Sequence, residues 1–117
     1  MSRGCATEYA GVVFRSRLEA EWAWWLTGRG LAWVYEPAVI RLAGGARYTP
    51  DFVLVESQVW VEVKPGVPSS LEFAKATEAT RVLGPNVWFF CGHPQRPTFW
   101  GPVPVGVGWG FEARGFS

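Results

Sequence analysis

The sequence predicts an α/β fold, in which a β-sheet packs against helices. Two mainly apolar runs of strand length, residues 48–55 and 59–65, flank the polar turn 56–58 and are typical of a β-hairpin. Apolar residues also recur at helical spacing over residues 14–28 and 71–83, so one helix precedes the hairpin and one follows it.

The size and composition of the chain fit one domain. It has 117 residues, a hydrophobic content of 49% and eight tryptophans, which allow a real core. We predict a single domain, residues 1–117, with its core at about 9–93 and a C-terminal segment at 94–117. Because the sequence contains neither a run of eighteen apolar residues nor a leading signal segment, we predict no membrane partner and a cytoplasmic location.

The two cysteines do not indicate a metal site. Cys5 and Cys91 have no Cys-x-x-Cys spacing and no cluster of histidines around them, which argues against zinc. A disulfide between them is not expected in a reducing cytosol. The single histidine, His93, lies in a Gly-His-Pro turn, for which we predict a structural role.

The first helix is predicted from Phe14 to about Gly28, with its apolar residues on one face as far as Leu26. Ser16 and Glu19 have the spacing of a capping box, in which the two side chains satisfy backbone N–H groups at a helix start. Glu19 therefore has two interpretations that stay open, a capping residue or an active-site carboxylate.

The elements around the hairpin are shorter. Residues 31–37 and 39–42 are predicted to be extended, with a turn at Gly44 and Gly45. The second helix is predicted to begin after Ser69 or Ser70 and to end at Leu83 before Gly-Pro.

The end of the chain is apolar and irregular. Residues 86–91 form a run that is fully apolar after Asn86, which is typical of an interior strand. Residues 92–117 are rich in glycine and proline but contain five large aromatic residues. We expect these aromatics either to cover the sheet or to meet a partner.

The hairpin carries an unusual pair of charges. Side chains alternate between the faces of a strand, so Glu62 and Lys64 share one face while Val61 and Val63 point to the other. An acid and a base on one face of a buried strand are costly unless they are paired or bind a ligand. Another acid, Asp51, opens the first strand of the hairpin.

The sequence Pro50-Asp51, ten further residues and then Glu62-Val63-Lys64 resembles the core motif of the PD-(D/E)XK nuclease superfamily. The order of helix, strand, strand pair, helix and strand fits as well, and the resemblance covers about residues 9–93. It implies a restriction-endonuclease-like mixed β-sheet of about four or five strands with a helix on each side.

The resemblance also implies a catalytic site. Its catalytic residues would be Glu19, Asp51, Glu62 and Lys64. Mg²⁺, for which Mn²⁺ could substitute, would be bound by Asp51, Glu62 and the Val63 carbonyl, because Mg²⁺ prefers hard oxygen ligands. Glu19 would bind a second metal or orient a water, and Lys64 would position the attacking water or stabilise developing charge.

Basic residues are the candidates for contact with DNA. The net charge of +1 does not by itself indicate a nucleic-acid binder. If three carboxylates belong to a metal site, however, the rest of the chain carries eleven basic and seven acidic residues. We predict DNA contacts from Arg15, Arg17, Arg47 and Lys75, with an ordinary solvated surface as the alternative. Glu36 either approaches the metal or pairs with an arginine.

We therefore predict a metal-dependent DNA endonuclease, similar to the Holliday junction resolvases of bacteria and phages that act in DNA recombination and repair. Because no sequence-reading module is evident, specificity is expected from DNA shape and from a homodimer formed through the C-terminal aromatics. A mismatch-, transposon-end- or single-strand-specific nuclease is the alternative. An alternative of another class is a catalytically idle DNA-binding subunit that keeps the fold.

Overall fold

A six-stranded mixed β-sheet with one helix on each face organises residues 6–116, the part of the chain that the computed structural model describes. In chain order its elements are β1 (Thr7–Tyr9), β2 (Val12–Phe14), α1 (Arg17–Gly28), β3 (Trp33–Tyr35), β4 (Ile40–Arg41), β5 (Arg47–Tyr48), β6 (Phe52–Leu54), β7 (Val59–Lys64), α2 (Ser70–Leu83), β8 (Val87–Cys91), β9 (Thr98–Val105) and β10 (Gly108–Ala113). Neither helix in residues 6–116 is long and apolar enough to cross a membrane.

The strand order in the sheet is β10-β9-β8-β7-β6-β3. Only β7 and β8 run parallel, because α2 connects them, and the other neighbours are antiparallel. The predicted hairpin is confirmed, since β6 and β7 pair around residues 55–58. Two-stranded ribbons, β1–β2 and β4–β5, flank this sheet.

The sheet separates two hydrophobic cores, as the alternation of side chains along β7 predicts. The α1 face buries Trp22 and Leu26 against Val61, Val63 and Phe90. The α2 face buries a second cluster, which includes Ala76, Ala79, Val87, Phe89 and Cys91. Glu62 and Lys64 therefore project on the α2 side of the sheet.

The start of α1 differs from the prediction. The helix begins at Arg17, because Ser16 is an extended N-cap with φ −145° and ψ 157°. Phe14 ends β2 instead, and its ring packs edge-on against Tyr35 with the ring centroids 4.5 Å apart. The second helix is confirmed, and Ser69 with Glu72 forms a complete capping box at its start.

The C-terminal segment forms two strands that complete the sheet, so the sheet has six strands rather than four or five and extends beyond residue 93. Phe99 and Phe116 pack on the α1 core, while Trp100 and Phe111 pack on the α2 core. Of the two predicted roles for these aromatics, covering the sheet is confirmed for these four. Cys91 is a buried free thiol, and Cys5 lies outside the described residues.

Candidate active site

A cleft of about 700 Å³ opens beside the end of β7, between the first turns of α1 and α2. All four predicted catalytic residues line it: Glu19, Asp51, Glu62 and Lys64. They come from three separate parts of the chain, since α1 carries the first, the approach to β6 the second and β7 the last two. The fold therefore brings together the residues that the motif predicts.

Asp51 is the most firmly held of the four. Its backbone N–H donates to the Val61 carbonyl at 2.9 Å, and its Oδ2 accepts from the Val63 N–H at 2.7 Å. The carboxylate is only 3% exposed, and Oδ1 pairs with Arg15 Nη2 at 3.0 Å. Burial, followed by the charge of Glu62, raises the pKa of Asp51 well above its ordinary value.

Glu62 has one oxygen free. Its Oε2 lies 3.3 Å from Lys64 Nζ, while the buried Oε1 has no hydrogen-bond partner. The buried Tyr48 hydroxyl lies beside the same carboxylate, and burial together with the charge of Glu62 raises the pKa of Tyr48, but the two groups do not have the geometry of a hydrogen bond. Burial raises the pKa of Glu62 despite the nearby ammonium of Lys64. Buried polar atoms nearly always have a hydrogen-bond partner or another ligand. The free oxygen of Glu62 is therefore the atom that a bound cation would contact.

Lys64 lies between two acids. Its Nζ is 2.9 Å from Glu72 Oε2 as well as 3.3 Å from Glu62 Oε2. Burial lowers the pKa of Lys64, but these two partners outweigh that effect and leave it raised, so the amine stays charged. Sequence reasoning missed Glu72, although the signal was present, because Ser69-x-x-Glu72 is a capping box directly after the motif.

Glu19 makes only half of a capping box. Its backbone N–H donates to Ser16 Oγ at 3.1 Å, but its carboxylate points toward the cleft. There Glu19 Oε1 accepts from the Tyr35 hydroxyl at 2.6 Å, and Oε2 lies 3.5 Å from Arg15 Nη2. The side chain thus belongs to the site rather than to the helix cap.

Glu36 pairs with an arginine, which decides between its two predicted roles. Its Oε2 lies 2.7 Å from Arg15 Nε, and its backbone N–H donates to the Asp51 carbonyl at 2.8 Å. Sequence reasoning missed Tyr35, whose hydroxyl accepts from both the backbone N–H and the Nε of Arg15. Burial and the bond to Glu19 raise the pKa of Tyr35 to about 12, so it remains a hydrogen-bond donor.

Three of the four predicted DNA contacts line the cleft, namely Arg15, Arg47 and Lys75. Arg17 does not, because its side chain points to solvent and lies 3.8 Å from Glu21, the ordinary surface pair that its spacing predicts.

The donor set fits one Mg²⁺ ion rather than a closed metal cage. No group of three acidic, histidine or cysteine side chains in residues 6–116 converges closely enough to hold an ion by itself. Mg²⁺ does not require such a group, since it usually keeps several waters and binds one or two carboxylates. Asp51 and the free oxygen of Glu62 meet that requirement, and Val63, whose carbonyl is the third predicted ligand, lines the same cleft.

Comparison with known proteins identified no relative of this chain. No protein-family model, no curated protein and no solved structure matched the chain.

Proposed function

We propose that the chain is a metal-dependent DNA endonuclease with a restriction-endonuclease-like fold of the PD-(D/E)XK type. The convergence of Asp51, Glu62 and Lys64 in one cleft is the observation that carries this proposal. Two buried carboxylates with raised pKa values destabilise a fold unless a bound cation or another partner compensates their charge. Such perturbed groups in a cleft are typical of a catalytic site.

Mg²⁺, with Mn²⁺ as a substitute, is the ion that these ligands suit. Asp51 and Glu62 would hold it, together with the carbonyl of Val63. When bound, the ion lowers the pKa of a coordinated water and neutralises charge on the scissile phosphate.

The protein itself supplies positioning and a permanent positive charge. Lys64 is fixed by Glu62 and Glu72, so its ammonium can donate to the attacking water or to a phosphoryl oxygen as charge develops. Glu19, oriented by Tyr35, can accept a hydrogen bond from a water that enters beside the phosphate. Arg47 and Lys75 line the cleft and can contact flanking phosphates without reading sequence.

Branched DNA is the substrate that the rim of the cleft favours. Val67 and Leu71 line the cleft but are 73% and 80% exposed. Apolar side chains beside a phosphate-binding site can contact bases that are out of their stack. An unpaired segment offers such bases, and so does a four-way junction opened at its crossover, where base pairs lose stacking on one face, whereas an intact duplex does not. This supports a Holliday junction resolvase, which would act in the cytoplasm of a bacterium or a phage-infected cell during DNA recombination or repair.

We also propose that the protein acts as a homodimer, because two clefts are needed for paired nicks in a four-way junction. Four of the five C-terminal aromatics pack internally, so Trp109 on β10 is the one that remains for an interface. β10 is the last strand of the described sheet, and an open strand edge can pair with a second copy.

The test is a cleavage assay with Mg²⁺ on labelled four-way junction, flap, mismatched, transposon-end, single-stranded and linear duplex DNA. We expect paired nicks in the junction and none after Glu62→Gln. A preference for mismatched, transposon-end or single-stranded DNA would favour the alternative nucleases of the superfamily. Binding without cleavage of any substrate would contradict the enzyme and favour an idle DNA-binding subunit.

A further inference from the structure

We propose that Arg15 occupies the position of a second cation, so that the cleft binds one divalent metal ion and not two. This inference rests on the proposed function, because it concerns the same carboxylates. It assigns Arg15 a role different from a contact to DNA phosphate. Arg15 would be a fixed component of the charge balance of the site.

The guanidinium of Arg15 contacts three carboxylates at once. Its Nη2 lies 3.0 Å from Asp51 Oδ1 and 3.5 Å from Glu19 Oε2, and its Nε lies 2.7 Å from Glu36 Oε2. In two-metal hydrolases, the second metal ion lies about 4 Å from the first, and several carboxylates contact it as they contact the guanidinium here. Here a single nitrogen of Arg15 already lies between Asp51 and Glu19.

Arg15 is also held from its backbone. Its N–H and its Nε both donate to the Tyr35 hydroxyl, at 3.0 and 3.3 Å, and that hydroxyl donates to Glu19. Glu36, which binds the other side of the guanidinium, adopts φ 47°, a conformation that favours glycine. Its N–H donates to the Asp51 carbonyl, which holds Glu36 in place. Such strained residues persist where surrounding contacts fix them, commonly at functional sites.

The first metal position stays available beside Arg15. A carboxylate oxygen can accept more than one partner, so Asp51 can bind an ion while it keeps its contacts to Arg15 and the Val63 N–H. The free oxygen of Glu62 makes no hydrogen bond with Arg15. Because an arginine does not lose its proton in a protein, the charge between Asp51 and Glu19 is permanent.

The test is a calorimetric titration with Mn²⁺ in the absence of DNA, so that activity is not the readout. We expect one bound ion in the unchanged protein and two in Arg15→Met. Arg15→Lys keeps the charge and should bind one. Arg17→Met is the matched control, because Arg17 pairs with Glu21 outside the cleft, and it should also bind one ion.

Electron paramagnetic resonance of bound Mn²⁺ gives a second measurement, which does not require the variant to fold. Two adjacent ions in the unchanged protein would broaden the signal and overturn the inference. One ion in a folded Arg15→Met protein would overturn it as well, even if that ion bound more tightly. Absence of Mn²⁺ binding in the unchanged protein would contradict the proposed function itself.

Discussion

Replacing Glu62 with glutamine is expected to stabilise the metal-free protein while it abolishes metal-dependent cleavage. Glu62 is largely buried, its Oε1 has no partner, and burial raises its pKa. The site therefore holds a charge that the fold does not satisfy. A neutral amide of the same shape removes that charge, and with it the proposed metal ligand.

The magnitude follows from two opposing effects. A buried unsatisfied polar group costs about 1–3 kcal/mol and a charged group more, and glutamine removes only the part of this cost that is due to the charge. The substitution also loses the ion pair with Lys64, but Lys64 is not left as an unpaired buried charge, because it keeps Glu72 at 2.9 Å. The free energy of unfolding should therefore rise by about 1 kcal/mol, or about 3–6 °C in Tm for a domain of this size.

The pH dependence of the stability difference is a second test of whether the substitution stabilises the protein. A carboxyl whose pKa is raised in the folded state contributes stability below its unfolded pKa, which is lost as pH rises through the folded pKa. The ordinary value for glutamate is 4.5. The advantage of Glu62→Gln over the unchanged protein should thus be absent below about pH 4.5 and grow toward neutral pH.

Thermal melts in EDTA between pH 4 and 8 measure this difference. Glu78→Gln is the matched control, since Glu78 pairs with Arg81 on the surface and should change stability by less than about 0.5 kcal/mol. Mn²⁺ at ten times its Kd should stabilise only proteins that keep Glu62, by about 1.4 kcal/mol. The reasoning would be refuted if the Glu62→Gln protein were less stable than the unchanged protein at neutral pH. It would also be refuted if Mn²⁺ stabilised both proteins equally.

Four further changes test other parts of the site. Lys64→Ala should lower turnover by about 10²–10³-fold with little change in Mn²⁺ affinity, measured by calorimetry, because Lys64 stabilises charge without binding the ion. Glu19→Gln should reduce cleavage by about 10²-fold without loss of Tm, since the helix cap uses the backbone N–H of residue 19 and the Gln oxygen can still accept from the Tyr35 hydroxyl. Leu71→Ser should reduce cleavage of branched more than of duplex DNA, whereas Val82→Ser on the same helix should not. Trp109→Ser should shift the mass measured by light scattering from two chains toward one.

Each of these four predictions would be contradicted by a specific result. Equal loss of Mn²⁺ binding and turnover in Lys64→Ala would point to a structural ion pair. Near-normal activity of Glu19→Gln would show that the Glu19 carboxylate has no catalytic role. If Leu71→Ser weakens all DNA substrates alike, the rim does not recognise unstacked bases. A folded monomer that still makes paired nicks in one binding event would contradict the dimer.

The motif strands and the motif carboxylates Asp51 and Glu62 were predictable because their signals are local. Alternation along β7 alone places Glu62 and Lys64 on the same face, and ten residues of hairpin bring Asp51 beside them. The start of α1 was not predictable in this way. Phe14 continues the apolar period of the helix, but it packs in a strand against Tyr35, twenty-one residues away along the chain.

The C-terminal strands were missed for a different reason. Pro102 and Pro104 argue against a strand, because proline lacks the N–H that a ladder needs. In the structure, β9 pairs with β8 only over Thr98–Trp100, so both prolines fall in the half that pairs with β10 alone. The interactions of Arg15 with Glu36 and Asp51 likewise join distant positions, and no sequence period indicates them.

If the chain is the proposed nuclease, the charges of the cleft would link metal binding to DNA binding. Two cations meet five carboxylates there: Arg15 and Lys64, with Glu19, Glu36, Asp51, Glu62 and Glu72. When ionised, this group carries an excess of three negative charges, and Arg47 and Lys75 leave one uncompensated. One divalent ion makes the sum positive. A phosphate would therefore be repelled from the metal-free cleft and attracted to the loaded one, so that the ion which would carry out the chemistry also admits the substrate.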